Sequence, residues 1–228
     1  MTLKPRILIE SVPMVLDGPR LEPLSGSKPD ALVVLIHGYG SNGDDLISLG
    51  KAMQPSLPGA AFVAPNAPDL LPFTADAHQW WPIETFSMAE RTAGADAAAP
   101  NLDAFLSAEL EAAGIESSRL LLIGFSQGTM MALHVGLRRP TALAGIIGIS
   151  GMLVAPDRLE TEIGNRLPVL LIHGTDDDVV PFQSMELAST SLKAAKVPVE
   201  THASQEVGHW VSPDGLEAAI DFAGRVLA

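Results

Sequence analysis

The chain has 228 residues, 47% of them apolar, a formal charge of −13 and no cysteine. That charge repels the phosphates of nucleic acid and the headgroups of anionic lipid. The absence of cysteine excludes disulfides, thiolate metal sites and a cysteine nucleophile. The length suits one α/β domain over residues 1–228 with a sizeable core, and the acidic surface reads chiefly as a device for solubility.

The first apolar stretch, "RILIESVPMVL", is broken by Glu10 and Pro13, too soon for the apolar region of a secretion signal. Residues 5–30 are expected to form one or two edge strands and a long turn-rich loop. "ALVVLIHGYG", "AAFVAPNAP", "RLLLIGFS", "LAGIIGISG" and "PVLLIHGTDDD" are apolar runs that end in Gly, Pro or Asp. Runs of this kind suit parallel strands buried on both faces. "VPVETHAS" reads as one more strand. Helical patterns fall between them, at about 43–54, 92–113, 127–138, 182–195 and 213–227, with Pro100 expected to interrupt the second. The last opens with Ser212 as N-cap and Pro213 at the first helical position. Strand and helix in alternation predict right-handed βαβ units, hence a mostly parallel central sheet with helices on both faces. Residues 65–94, "PNAPDLLPFTADAHQWWPIETFSMAERTAG", break the alternation and are expected to be an irregular segment, either pinned to the core by Trp80 and Trp81 or forming a wall over a pocket. The longest near-apolar run, "LAGIIGISGMLVAP", is too short for a membrane span. The expectation is a cytoplasmic protein without integral membrane association.

In open parallel sheets, ligands sit at the carboxyl ends of the strands. Gly124-Phe125-Ser126-Gln127-Gly128 lies there, directly after a strand and before a helix. Gly-x-Ser-x-Gly in that setting predicts a sharp turn that exposes a nucleophilic serine; the blander reading is a glycine-rich turn with a capping serine. A serine needs a base, and the base needs an acid to fix its tautomer. In this arrangement the order is Ser, then Asp or Glu, then His. Of the six histidines, His209 in "QEVGHWVSPDG" lies in a loop between the last strand and the last helix and is the choice for the base. His202 lies within a strand pattern, and His173 is expected to pack. "LLIHGTDDDVVP" supplies Asp176, Asp177 and Asp178 as candidate acids, and position alone does not separate them. They lack the alternation and the glycine of a calcium loop, so no metal is expected. Two oxyanion donors are expected from the backbone N–H of Gln127, at the start of a helix, and of Tyr39 in "HGYGSNGDD".

"LVVLIHGYGSNGDDL", "FVAPNAP", "QWWPIE", "IGFSQGT", "GISGML", "HGTDDDVVP" and "GHWVSPDGLE" occur in this order over residues 20–227. Together they resemble the phospholipase/carboxylesterase family of small serine esterases with the α/β-hydrolase fold, which includes acyl-protein thioesterases. The resemblance implies that Asp177 is the catalytic acid, that Tyr39 is the second oxyanion donor and that the Trp80–Trp81 segment borders an acyl pocket. Trp210, beside the expected base, departs from the small residue the family places there and is expected to narrow or gate that pocket. The implied activity is hydrolysis of small-molecule short-to-medium acyl esters, with thioester or lysophospholipid hydrolysis as the alternative. No cofactor and no nucleic-acid partner are implied. A homodimer is left open, as is a non-catalytic hydrolase-like binding protein, although such proteins usually lose a triad member and none is missing here.

Overall fold

A computed structural model describes residues 14–72 and 74–228. Residues 5–13 of the expected edge segment lie outside them. The described part of that segment holds one short strand, β1 (Arg20–Leu21). The apolar runs form β2 (Ala31–Ile36), β3 (Ala60–Val63), β6 (Leu120–Phe125), β7 (Gly145–Ile149) and β8 (Val169–Gly174), and β9 (Val199–Ser204) follows. Helices α1 (Gly43–Met53), α2 (Met88–Ala113), α3 (Gln127–Gly136), α5 (Gln183–Ala194) and α6 (Pro213–Val226) fill the intervals, with a single turn, α4 (Leu159–Glu162), between β7 and β8. The ends of α1 and α6 follow local chemistry. Asn42 accepts from the Asp45 N–H and Ser212 from the Gly215 N–H, each satisfying an amide that the helix leaves unpaired.

The sheet order is β1-β3-β2-β6-β7-β8-β9. Every neighbouring pair is parallel except β1, which runs antiparallel to β3. Successive side chains alternate across the sheet. Val34, Leu122 and Leu171 face α2, α3 and α5, while Val33, Leu121 and Leu170 face α1 and α6. The chain moves one way from β2 to β3 and the other way from β6 onward. The loops leaving β2 and β6 therefore diverge at the carboxyl edge of the sheet and leave a crevice there.

Two expectations are corrected. Residues 65–94 are not irregular throughout: β4 (Asp69–Leu70) and β5 (His78–Gln79) pair antiparallel, and α2 already begins at Met88. Ser87 makes that start by accepting from the Glu90 N–H. Nor does Pro100 divide α2. A proline inside a helix costs about 3 kcal/mol. Leu102, Phe105, Leu106 and Leu110 are all buried in the core, and at roughly 1.5–3 kcal/mol for each such side chain their burial outweighs that cost.

Candidate active site

Ser126 occupies the turn between β6 and α3 with φ 55° and ψ −116°. For a non-glycine residue this is a strained backbone, held by its surroundings. The Ser126 N–H donates to the Ile149 carbonyl at 2.9 Å, which pins the turn to β7. Thr129 Oγ1 accepts from the Ile149 N–H at 2.9 Å and reaches the Gly124 carbonyl at 2.7 Å. The flanking glycines follow from crowding: a Cβ on Gly128 would lie 1.8 Å from the Ile36 carbonyl oxygen, and one on Gly124 would lie 2.3 Å from the Gly128 carbonyl oxygen.

Asp177 is the one buried member of its triplet; Asp176 and Asp178 are exposed. Its Oδ1 accepts from the N–H groups of Val179 (3.0 Å) and Val180 (2.8 Å). Its Oδ2 meets His209 Nδ1 at 2.8 Å. Burial favours the protonated acid. The His209 bond and the two backbone donors outweigh that, so the carboxyl sits below its ordinary pKa and is charged at neutral pH. The Asp176 N–H donates to the Val207 carbonyl at 2.9 Å, tying the loop after β8 to the loop that carries His209. The His209 ring packs on Phe125, with 5.0 Å between centroids. A second imidazole reaches the same carboxylate: His173 Nε2 lies 2.8 Å from the Val180 carbonyl and 3.2 Å from Asp177 Oδ2. Because a carbonyl only accepts, that nitrogen carries the proton, and its N–H faces both the Val180 carbonyl and Asp177 Oδ2.

The other histidines have separate duties. His37 is buried, with Nε2 accepting from the Ala67 N–H (2.9 Å) and Nδ1 donating to the Gly38 carbonyl (2.7 Å); burial lowers its pKa to about 4. His78 Nδ1 bonds the Ala67 carbonyl, His134 is buried against Asp96, and His202 pairs with Asp214 at 2.8 Å.

Ser126 and His209 share the lining of one cavity of about 340 Å³ with Tyr39, Gln127 and Trp81. Neither the Tyr39 nor the Gln127 backbone N–H has a protein acceptor among the described residues. Gln127 opens α3, where the first amides have no intrahelical partner. A Cβ on Gly38 would lie 3.1 Å from Ser126 Cβ, so the loop bearing Tyr39 passes directly beside the serine. These are the features an anion-stabilising pocket needs.

The three tryptophans take different places. Trp81 is buried and forms cavity wall. Trp80 lies behind the wall, its Nε1 donating to the His37 carbonyl at 3.0 Å. Trp210 is 62% exposed and outside the cavity lining. Sequence reasoning missed two features. The Gln127 side chain clamps the tryptophan segment, accepting from the Trp80 N–H and donating to the Trp81 carbonyl, each at 2.9 Å. Ile83, Phe86, Arg91, Met130, Val179 and Val180 complete the cavity. Arg91 is the one arginine or lysine in 65–94, a signal the sequence did carry.

Among the described residues no group of three or more His, Cys, Asp or Glu is placed to hold a metal, and no helix is long and apolar enough to cross a membrane.

The model of the family described as Phospholipase/Carboxylesterase matches residues 24–226. An acyl-protein thioesterase 1 from Mycosarcoma maydis is 29% identical, over 91% of this chain and 95% of that protein. One from Schizosaccharomyces pombe is 33% identical, over 66% of this chain and 70% of that protein. Among solved structures, esterase PE8 superposes with a TM-score of 0.90 and 44% identity, covering 94% of this chain and all of that one. SOBER1 of Arabidopsis thaliana, 24% identical with a TM-score of 0.78 over 87% of this chain and all of that one, shares the fold.

Proposed function

Because the chain belongs to the phospholipase/carboxylesterase family and has the α/β-hydrolase fold, we propose that it is a serine carboxylesterase of short-to-medium acyl esters acting through Ser126, His209 and Asp177. The observation that carries this reading is the 2.8 Å bond between His209 and a buried, charged Asp177, with His209 and the strained Ser126 on one cavity. Ser126 Oγ attacks the ester carbonyl as His209 Nε2 takes its proton. Asp177 holds the proton on Nδ1 and stabilises the imidazolium. The N–H groups of Tyr39 and Gln127 receive the oxyanion; losing one such donor costs about 2.7–4 kcal/mol of transition-state stabilisation. His209 then protonates the departing alcohol and activates the water that hydrolyses the acyl-enzyme. The reaction needs no cofactor.

A cavity of about 340 Å³ is at the small end for a ligand site, which favours short acyl groups. The second reading, acyl-thioester hydrolysis, is favoured by the relatives named acyl-protein thioesterases. The proposal places the activity in the cytoplasm on a single domain, as monomer or homodimer. The test is hydrolysis of p-nitrophenyl esters from acetate to palmitate beside matched S-acyl thioesters. A rate that peaks at short-to-medium oxygen esters supports the first reading, a preference for thioesters supports the second, and no hydrolysis of either overturns both.

A further inference from the structure

Arg91 stands apart from the other cavity residues. It lies in the first turn of α2, four residues after the N-cap Ser87, and lines the cavity that holds Ser126 and His209. Around it the wall is apolar, built by Trp81, Ile83, Phe86, Met130 and Val180. Arg166 donates to the Ala195 carbonyl, and Arg20, Arg119, Arg138, Arg139, Arg158 and Arg225 each pair with a carboxylate. Among the described residues, none lies within ion-pair distance of Arg91. The neighbouring Glu90 is engaged elsewhere, accepting from the Glu84 and Thr85 amides and the Thr85 hydroxyl.

The position is electrostatically poor for a cation. The N-terminal turn of a helix carries the positive end of its dipole, which disfavours arginine there. Burial also works against the charged form and lowers the Arg91 pKa. In a chain of net charge −13, carboxylate partners abound elsewhere. One protein contact uses part of the guanidinium: Nη1 donates to the carbonyl of Phe86, a residue held at φ 56°. A guanidinium has five N–H donors, arranged to grip an oxyanion with two parallel bonds, so that contact leaves donors unused on a residue that lines the cavity.

We infer that Arg91 is a specificity-determining residue that binds an anionic group, in the first place a carboxylate, on the part of the ester substrate enclosed by the cavity. The favoured substrates are then esters that carry a free acid, such as half-esters of dicarboxylic acids, over their uncharged counterparts. The wall around Arg91 strengthens the effect, because a charge pair is worth more where water is thin. This inference rests on the esterase reading.

The test compares each anionic ester with its own neutral methyl-capped form. One pair puts the charge on the acyl side, mono-p-nitrophenyl adipate against p-nitrophenyl methyl adipate. The other puts it on the leaving group, 4-acetoxybenzoate against methyl 4-acetoxybenzoate. The expected result for wild type is a kcat/KM ratio favouring the anion by about tenfold or more in one pair, carried mostly by KM, as a charged hydrogen-bonded contact implies. The same ratio should fall to near one in Arg91→Gln and take an intermediate value in Arg91→Lys, which keeps the charge and loses the fork. Because each ratio is internal to one protein, a general loss of activity cancels. Wild-type ratios near one in both pairs, or an unchanged ratio in Arg91→Gln, would overturn the inference. If wild type hydrolyses none of the four esters, the esterase reading fails separately. Quenching of tryptophan fluorescence by monomethyl adipate then decides: wild type binds it more tightly than Arg91→Gln, or the inference falls.

Discussion

Replacing Gln127 by leucine probes how the cavity wall is held. The side-chain amide is buried, and it joins the start of α3 to the tryptophan segment through bonds of 2.9 Å to the Trp80 N–H and 2.9 Å to the Trp81 carbonyl. Leucine fills much of the same volume and leaves the backbone N–H of residue 127, the expected oxyanion donor, in place. What changes is that one buried amide and one buried carbonyl lose their partners. At about 1–3 kcal/mol for each unsatisfied group, Gln127→Leu should lower stability by roughly 2–6 kcal/mol, unless the segment moves to find water. Either response loosens Trp81. Urea unfolding should give a lower midpoint, and the p-nitrophenyl ester profile should broaden toward longer chains. A stability change under about 0.5 kcal/mol, the size of an ordinary surface substitution, together with an unchanged profile, would refute the clamp.

The remaining predictions concern protonation. Asp177→Asn should keep the bonds from Val179 and Val180 and turn an amide toward His209 Nδ1, which must then accept. The proton is forced onto Nε2, so the base is lost and kcat should fall by about 10⁴-fold with KM little changed, as tautomer reversal does in a Ser-His-Asp triad; a loss below tenfold would contradict the geometry. Burial lowers the pKa of both His37 and His134 to about 4. The unfolded chain protonates such residues near pH 6.5. The folded form is thus fully favoured above that value and loses stability as pH falls from 6.5 to 4, with a slope approaching about 1.4 kcal/mol per pH unit for each histidine. In His37→Gln, which can both donate to Gly38 and accept from Ala67, chemical denaturation should show about half that slope. An unchanged slope would mean that His37 does not set it.

The sequence made the sheet legible because its strands are buried on both faces and end in turn residues, as in "ALVVLIHGYG" and "PVLLIHGTDDD". Ser126 was legible for a local reason: a glycine two residues to either side marks a turn that a side chain would block. Asp177 was not separable from Asp176 and Asp178 by position, because what distinguishes it is burial and the paired amides of Val179 and Val180. The second contact to that carboxylate, from His173, was hidden for the same reason: a histidine closing a strand reads as core. Pro100 misled because its local penalty is visible in sequence while the burial that outweighs it is tertiary. The cavity was the least legible feature. Its wall draws on β6–α3, the segment before α2 and the loop after β8, and the three tryptophans differ only in where packing sends them.

The central claim is that Ser126 is the nucleophile. A fluorophosphonate ester should add to the protein once, with the mass shift on the peptide containing Ser126, and abolish p-nitrophenyl ester hydrolysis in step with labelling. Ser126→Ala should take up no label and lose at least about 10⁴-fold in kcat. Labelling at another residue, or a Ser126→Ala protein that keeps its rate, would contradict the proposed chemistry at this site.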